Sequence, residues 1–385
     1  MTLTAPALGA APTPADGAPD EGRHAAPGRD FGPIRWLPRA VVYLLLAYWL
    51  LVLIPGSVIY APFAADAVIY AIVALSLNII IGYTGQLSLG HQGFFGIGAF
   101  AAAYSLTVRG VPFALTFIIA ILVAAAFALL LGIAALRITG LYLALITLVF
   151  GLTLEGSLFE VQEFTNSGAG QPADRPEFLF DDGRFYLFCL AFLVVAFYLD
   201  WRLTKSKTGR ALLALKENER VAEAFGINVT LFKLLAFVLS GGLAGLAGAL
   251  YAYRVGNVVG TDFGFFLALT FVLMTVVGGL GNRLGVILGG TLFATLDYLL
   301  EGPLNFLERG FVSGGSALGF NVNNLEQYDV AFIGALGLLL TLVFNPGGLA
   351  QQNKPFFDWL AGKRFSLHGD KDSGPASVEG SSVRA

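Results

Sequence analysis

The sequence predicts an all-α polytopic membrane protein of about ten transmembrane helices. Three observations point there. The chain of 385 residues is 56% hydrophobic and only 13% charged. Its mean hydropathy is +0.74. Its apolar residues fall in repeated runs of about twenty, the length at which a helix crosses bilayer hydrocarbon. Strands are disfavoured because the runs lack sustained apolar/polar alternation, and a membrane barrel needs alternating segments of about ten residues. A helical bundle is the remaining way to satisfy the backbone in lipid.

Taken in order, the runs predict spans at 39–59, 64–82, 88–107, 113–136, 140–158, 184–200, 232–253, 265–280, 284–300 and 329–345. Residues 1–38, rich in Ala, Pro and Gly, read as a disordered tail and 351–385 as a flexible one, leaving 39–350 as the membrane domain. An even number of spans puts both tails on one side, and Lys and Arg choose the side. With the tails inside, the inner loops hold Arg137, Arg202, Lys205, Lys207, Arg210, Lys216, Arg220, Lys233 and Arg283, against Arg109, Arg175, Arg184, Arg254 and Arg309 outside. The N and C termini are therefore expected in the cytoplasm. Two longer outer segments, 159–183 and 301–328, read either as a docking surface or as ordinary loops.

Several function classes are disfavoured. A net charge of −3 is too small to imply a nucleic-acid partner, and one cysteine, Cys189, builds neither a disulfide within the chain nor a thiolate metal site. No GxxxxGK[ST] occurs, so no cofactor is expected and any ATP is used by partner subunits. Asp66, Glu155, Asp297 and Glu301 fall near outer span ends, which disfavours a midplane ion relay. Ser88 and His91, at i and i+3, would share a helix face, but no acid lies nearby in sequence to orient the imidazole. The chain is not expected to be an enzyme.

The stretch GYTGQLSLGHQGFFGIGAF, residues 82–100, places six glycines beside Gln86, Ser88, His91 and Gln92. Glycines let helices approach closely. The polar groups would cost free energy facing lipid, so each is expected to meet another helix or a watery path. A weak echo, GGLGNRLGVILGG at 278–290, again follows glycines with an amide, Asn282, and suggests two similar hairpins bordering one inner vestibule. The candidate translocation path is Gln86, Ser88, His91, Gln92, Gly93, Gly96 and Asn282.

The longest inner loop, within 201–232, reads KSKTGRALLALKENERVAEAFGINVTLFK. Ala211, Leu212, Leu215, Ala222 and Phe225 recur at roughly helical spacing and Gly226 is placed to end the helix, predicting one short amphipathic helix. From these residues alone it is either an interfacial anchor or a lever seated in a partner's groove.

Several segments together resemble the LivM-type permease of bacterial branched-chain amino-acid ABC transporters. They are residues 82–100, ITGLYLALITLVFG (138–151), TNSGAG (165–170), TGRALLALKENERVAEAFGINVTLFKLLAFVLSGGLAGLAGALYA (208–252), VVGGLGNRLGVILGG (276–290) and NPGGL (345–349), in the family's order. The resemblance implies the ABC importer permease fold in the bacterial inner membrane. It also implies pairing with a homologous LivH-type permease, two cytoplasmic ATPases and an extracytoplasmic solute-binding protein, with branched-chain amino acids as cargo. Related permeases carry urea or short amides, and an ion-coupled secondary transporter is the other alternative. Segment 209–226 matches the family's coupling helix, so Arg210, Lys216, Glu217, Asn218, Glu219, Arg220, Glu223, Ala224 and Gly226 are the implied ATPase contacts. Three features depart from the pattern: Gln92 stands where many relatives have a small residue, 301–328 is longer than usual, and the proline-rich 1–38 is atypical.

Overall fold

The computed structural model describes residues 60–135, 138, 140–162 and 169–295. The expected spans 39–59 and 329–345, the outer segment 301–328, both tails and the last residues of span 284–300 lie outside the described residues.

Helix α1 (Tyr60–Leu77) widens into a π-turn at Asn78–Gly82. An irregular link leads into α2 (His91–Thr107), followed by α3 (Phe113–Ala135), α4 (Leu141–Gly156) and α5 (Asp182–Lys205). Two short helices, α6 (Lys207–Glu217) and α7 (Glu219–Ala224), precede α8 (Val229–Val255), α9 (Phe265–Gly278) and α10 (Arg283–Thr295). Among the described residues, five segments are long and apolar enough to cross a membrane: Ala61–Gly82, Phe113–Ala134, Leu141–Glu160, Asp182–Lys205 and Val229–Val255. Helices α9 and α10 are shorter apolar helices.

Helix α2 is the central element. It packs against α8, α3 and α4 and is buried along nearly its whole length. In lipid no hydrophobic force drives one apolar helix onto another, so close backbone approach supplies the attraction. The seam shows it: a Cβ at Gly98 would collide with the backbone of Gly245, and one at Gly248 with the backbone of Phe95. Toward the end of the seam near Gln171–Pro172 and Asn257–Val258, aromatic rings fill the space the glycines leave. Phe100 stacks on Phe159 at 4.9 Å and meets Phe263 edge-on at 5.8 Å, contacts worth about 0.5–1.5 kcal/mol each beyond buried area. Helices α3 and α5 instead turn Leu122, Leu130, Val194 and Leu199 outward, as lipid-facing helices do.

Part of the outer segment 159–183 is tied to the bundle. Strand β1 (Gln171–Pro172) pairs antiparallel with β2 (Asn257–Val258), Gln171 opposite Val258. Arg175 donates to the carbonyls of Tyr253 and Arg254 and to Asp182, and its guanidinium lies 4.2 Å from the Phe185 ring centre.

The inner loop corrects the expectation of one helix over 209–226. Asn218 is extended (φ −164°, ψ 112°) and breaks the segment in two. Its Oδ1 accepts from the N–H groups of Arg220 and Val221 at 3.0 and 3.2 Å, capping α7. Ala211, Leu212, Leu215 and Ala222 are buried as the spacing predicts, but Phe225, placed on the same face by periodicity, is 84% exposed because the break resets the phase. Gly226 (φ +80°) closes α7 in the left-handed conformation that glycine tolerates.

Candidate functional site

The site begins at the π-turn. Its wider winding carries the Tyr83 N–H to the Asn78 carbonyl, five residues back. Such turns cluster at functional positions because they leave backbone groups to be met from outside the helix. Residues 85–90 then run without regular structure, and α2 starts only at His91. Ser88 therefore does not share a helix face with His91, as the i, i+3 spacing suggested, although their side chains do meet.

Ser88 Oγ lies 3.1 Å from His91 Nδ1, and His91 Nε2 lies 2.7 Å from Ser240 Oγ on α8. Ser240 in turn donates to the Ser76 carbonyl on α1 at 2.6 Å. A hydroxyl has one proton to give. Ser240 gives its proton to Ser76 and so accepts from His91, which fixes the imidazole as the neutral Nε2–H tautomer, its Nδ1 accepting from Ser88. The ring is 1% exposed, and its second nitrogen meets a serine, not the carboxylate a nucleophilic dyad would use. This node joins α2 to α8 and, through the Ser76 carbonyl, to α1.

The other expected path residues lie around the node. Gln92 is fully buried with its amide against Gly151 of α4, and neither its Oε1 nor its Nε2 has a hydrogen-bond partner. Gly93 faces Leu154 and Gly151, and Gly96 faces the rings of Phe159 and Phe263. These residues form internal packing within the chain. Gln86, also buried, lines an open cleft of about 250 Å³ with Thr84, Lys216, Glu217 and Asn218, and its Oε1 has no partner.

The two similar turns touch. The Gly281 N–H donates to Asn78 Oδ1 at 2.8 Å, and at Gly82 a Cβ would meet the nitrogen of Gly281. Asn282 spends its side chain on the backbone, its Oδ1 accepting from the N–H groups of Leu284 and Gly285 at 3.1 and 3.2 Å to cap α10.

The inner loop reaches the same place. Lys216 Nζ donates to the Gly82 carbonyl at 2.9 Å, and Glu219 pairs with Lys233 of α8 at 2.7 Å. Arg210, Glu217, Arg220, Glu223, Ala224 and Gly226 are exposed. Thus Lys216 joins the loop to the start of the 82–100 segment.

One buried cluster escapes sequence reasoning. Asp200, whose side chain is 0% exposed, accepts from Arg283 Nε at 2.9 Å and from Tyr83 Oη at 3.0 Å, and Arg283 also donates to Thr204. Burial, and next the Asp200 carboxylate, push the Tyr83 phenol up, so it stays a donor at any physiological pH. The available signal was an aspartate at the end of the apolar run LVVAFYLDW with an arginine in the 278–290 hairpin.

A bundle of apolar spans joined by buried polar nodes, with a basic helical loop at one end, defines a multi-pass membrane protein. Residues 59–341 match the family of branched-chain amino acid transport system permease components, and the chain belongs to that family. It is 29% identical over 326 residues, 76% of this chain and 70% of the relative, to the high-affinity branched-chain amino acid transport system permease protein LivM of Salmonella typhimurium. It is 25% identical over 303 residues, 73% of this chain and 91% of the relative, to the permease protein BraD of Pseudomonas aeruginosa, named for the same transport. A shorter likeness, 33% over 113 residues (28% of this chain, 33% of the relative), joins it to the autoinducer 2 import system permease protein LsrC of Salmonella typhi. No solved structure matches the chain.

Proposed function

We propose that this chain is one permease half of an ATP-driven importer in the bacterial cytoplasmic membrane, with ten spans and both termini cytoplasmic. Its cargo is branched-chain amino acids handed over by an extracytoplasmic binding protein. A homologous LivH-type permease supplies the other half, and two cytoplasmic ATPase subunits use the ATP. The observation that carries this reading beyond family membership is the Lys216–Gly82 contact.

In this reading the exposed face of α6 and α7 docks on an ATPase, and closure of the ATPases displaces both helices. Lys216 passes that displacement to the π-turn, and the Asn78–Gly281 bond passes it to the second hairpin. Gln86 and Asn282 border the inner mouth of the path. Ser88, His91, Gly93 and Gly96 hold the wall behind it, and the amide of Gln92 is the polar group of that wall left for cargo or water. The path opens alternately to the two sides as the permease halves rock.

The test is affinity capture of the tagged chain in mild detergent, comparing wild type with Glu223→Arg. A second permease and the ATPases accompany the wild type, and the variant loses the ATPases alone. A chain that purifies alone in both forms overturns the proposal. Uptake of labelled leucine against urea in reconstituted vesicles then decides the cargo.

A further inference from the structure

At the inner end of the bundle α5 and α8 both pack on α1, without extensive contact with each other. The space between them is an open groove of about 600 Å³, with Ile79 at its floor, Leu199 and Leu203 of α5 on one wall and Leu239 and Leu243 of α8 on the other. Helix α6 packs against both α5 and α8. The groove therefore stops where α5 turns into α6 at Ser206, the end of the membrane-crossing segment Asp182–Lys205.

That end is cationic. Arg202 and Lys205 are exposed on the groove's rim, and neither has an ion-pair partner among the described residues. Lys207 and Arg210 follow in the first turn of α6, which contains no acid. Asp200 also lines the groove, but its charge is matched by Arg283. Trp201 and Tyr198, both exposed and 6.0 Å apart between ring centres, are the amphipathic rings found at membrane–water boundaries.

We propose that this groove binds an anionic phospholipid, one acyl chain lying between α5 and α8 and the phosphate resting on Arg202 and Lys205. A soluble phosphate would gain nothing from the leucine walls, and a zwitterionic lipid gains less from the cationic rim. The bound lipid clamps together two helices that make little direct contact with each other. This site is independent of cargo identity and of the ATPase contact.

The full-length chain, in micelles containing equal phosphatidylglycerol, phosphatidylethanolamine and phosphatidylcholine, is examined by native mass spectrometry. One phosphatidylglycerol is retained preferentially. Arg202→Ala with Lys205→Ala weakens its retention by about 30-fold, the effect of two basic residues at a membrane surface, and Arg202→Lys with Lys205→Arg restores it. Leu243→Trp fills the groove and expels the lipid, and soluble glycerophosphoglycerol does not compete. Equal retention of the three lipids, undiminished retention in the double alanine variant, or effective competition by the soluble headgroup overturns the site. So does crosslinking from Leu239→Cys to a second polypeptide instead of lipid. The double alanine change lies on the exposed rim, so its outcome does not depend on refolding a core.

Discussion

The α2–α8 seam and the α6–α1 junction are held by opposite means. At the seam side chains are missing: Gly98, Gly245 and Gly248 bring backbone against backbone, and a satisfied Ser88–His91–Ser240 chain pins the depth. At the junction Leu212 and Leu215 of α6 pack in one buried cluster with Ile79 and Tyr83, and one long side chain, Lys216, reaches across to a single carbonyl. The first arrangement cannot slide without collision. In the second, the Lys216 bond can be made and released at small cost. A transporter needs both, a block that keeps its shape and a hinge that does not.

The largest way to break the contrast is at the seam. Gly248→Leu drives a side chain into the Phe95 backbone, and a destabilisation above about 4 kcal/mol is expected to abolish folded, monodisperse protein on size-exclusion chromatography. Asp200→Ala comes next. It strands the Arg283 guanidinium, and breaking such a buried pair costs about 3–5 kcal/mol, read as a lowered melting temperature in detergent. Ser240→Ala leaves the His91 Nε2–H unmet, which costs about 1–3 kcal/mol by the same assay; a melting temperature equal to wild type would deny the node its structural role. Lys216→Met sharpens the comparison from the other side. It should change stability by less than about 1 kcal/mol while lowering reconstituted uptake at least about ten-fold, a split that a merely structural contact would not give. Phe225→Ala, at an exposed side chain, should alter stability by no more than about 0.5 kcal/mol, and its effect appears only in ATPase capture.

Much of the helical plan was legible because its signal is local. Apolar runs located α3, α4, α5 and α8 to within a few residues, and Gly226 announced the end of α7. The break at Asn218 was also written locally, as an amide followed by Glu219 in a first turn, an N-cap signature. The apolar periodicity running through it concealed the break and placed Phe225 on the wrong face. The site was legible only by kind. Polar residues at 86–92 announced that they needed partners, but His91 finds its own 149 residues away on α8, and no spacing rule encodes such a pairing. Asp200 was overlooked because a carboxylate at a span end reads as a solvated boundary until Arg283 and Tyr83 are seen to bury it. Asn282, an amide after glycines, looked like Gln86, yet its place just before α10 gives it to the helix cap.

The π-turn makes this part of the chain count its residues. Asn78–Gly82 is wound one residue wider than an α-helix requires. Deleting Ile80 would restore an ordinary pitch and leave the helix on either side nearly in its present rotation, because the π-turn has already absorbed the extra residue; what would be lost is the widened turn itself. Ser240 and Gly281 hold the upstream side through Ser76 and Asn78, while Asp200 and Lys216 hold the downstream side through Tyr83 and Gly82. Surface loops absorb insertions and deletions at little cost. Here a loss that makes the helix more regular would spare the flanks and re-aim only the groups of the turn, the Asn78 side chain that meets Gly281 and the Gly82 carbonyl that meets Lys216 among them.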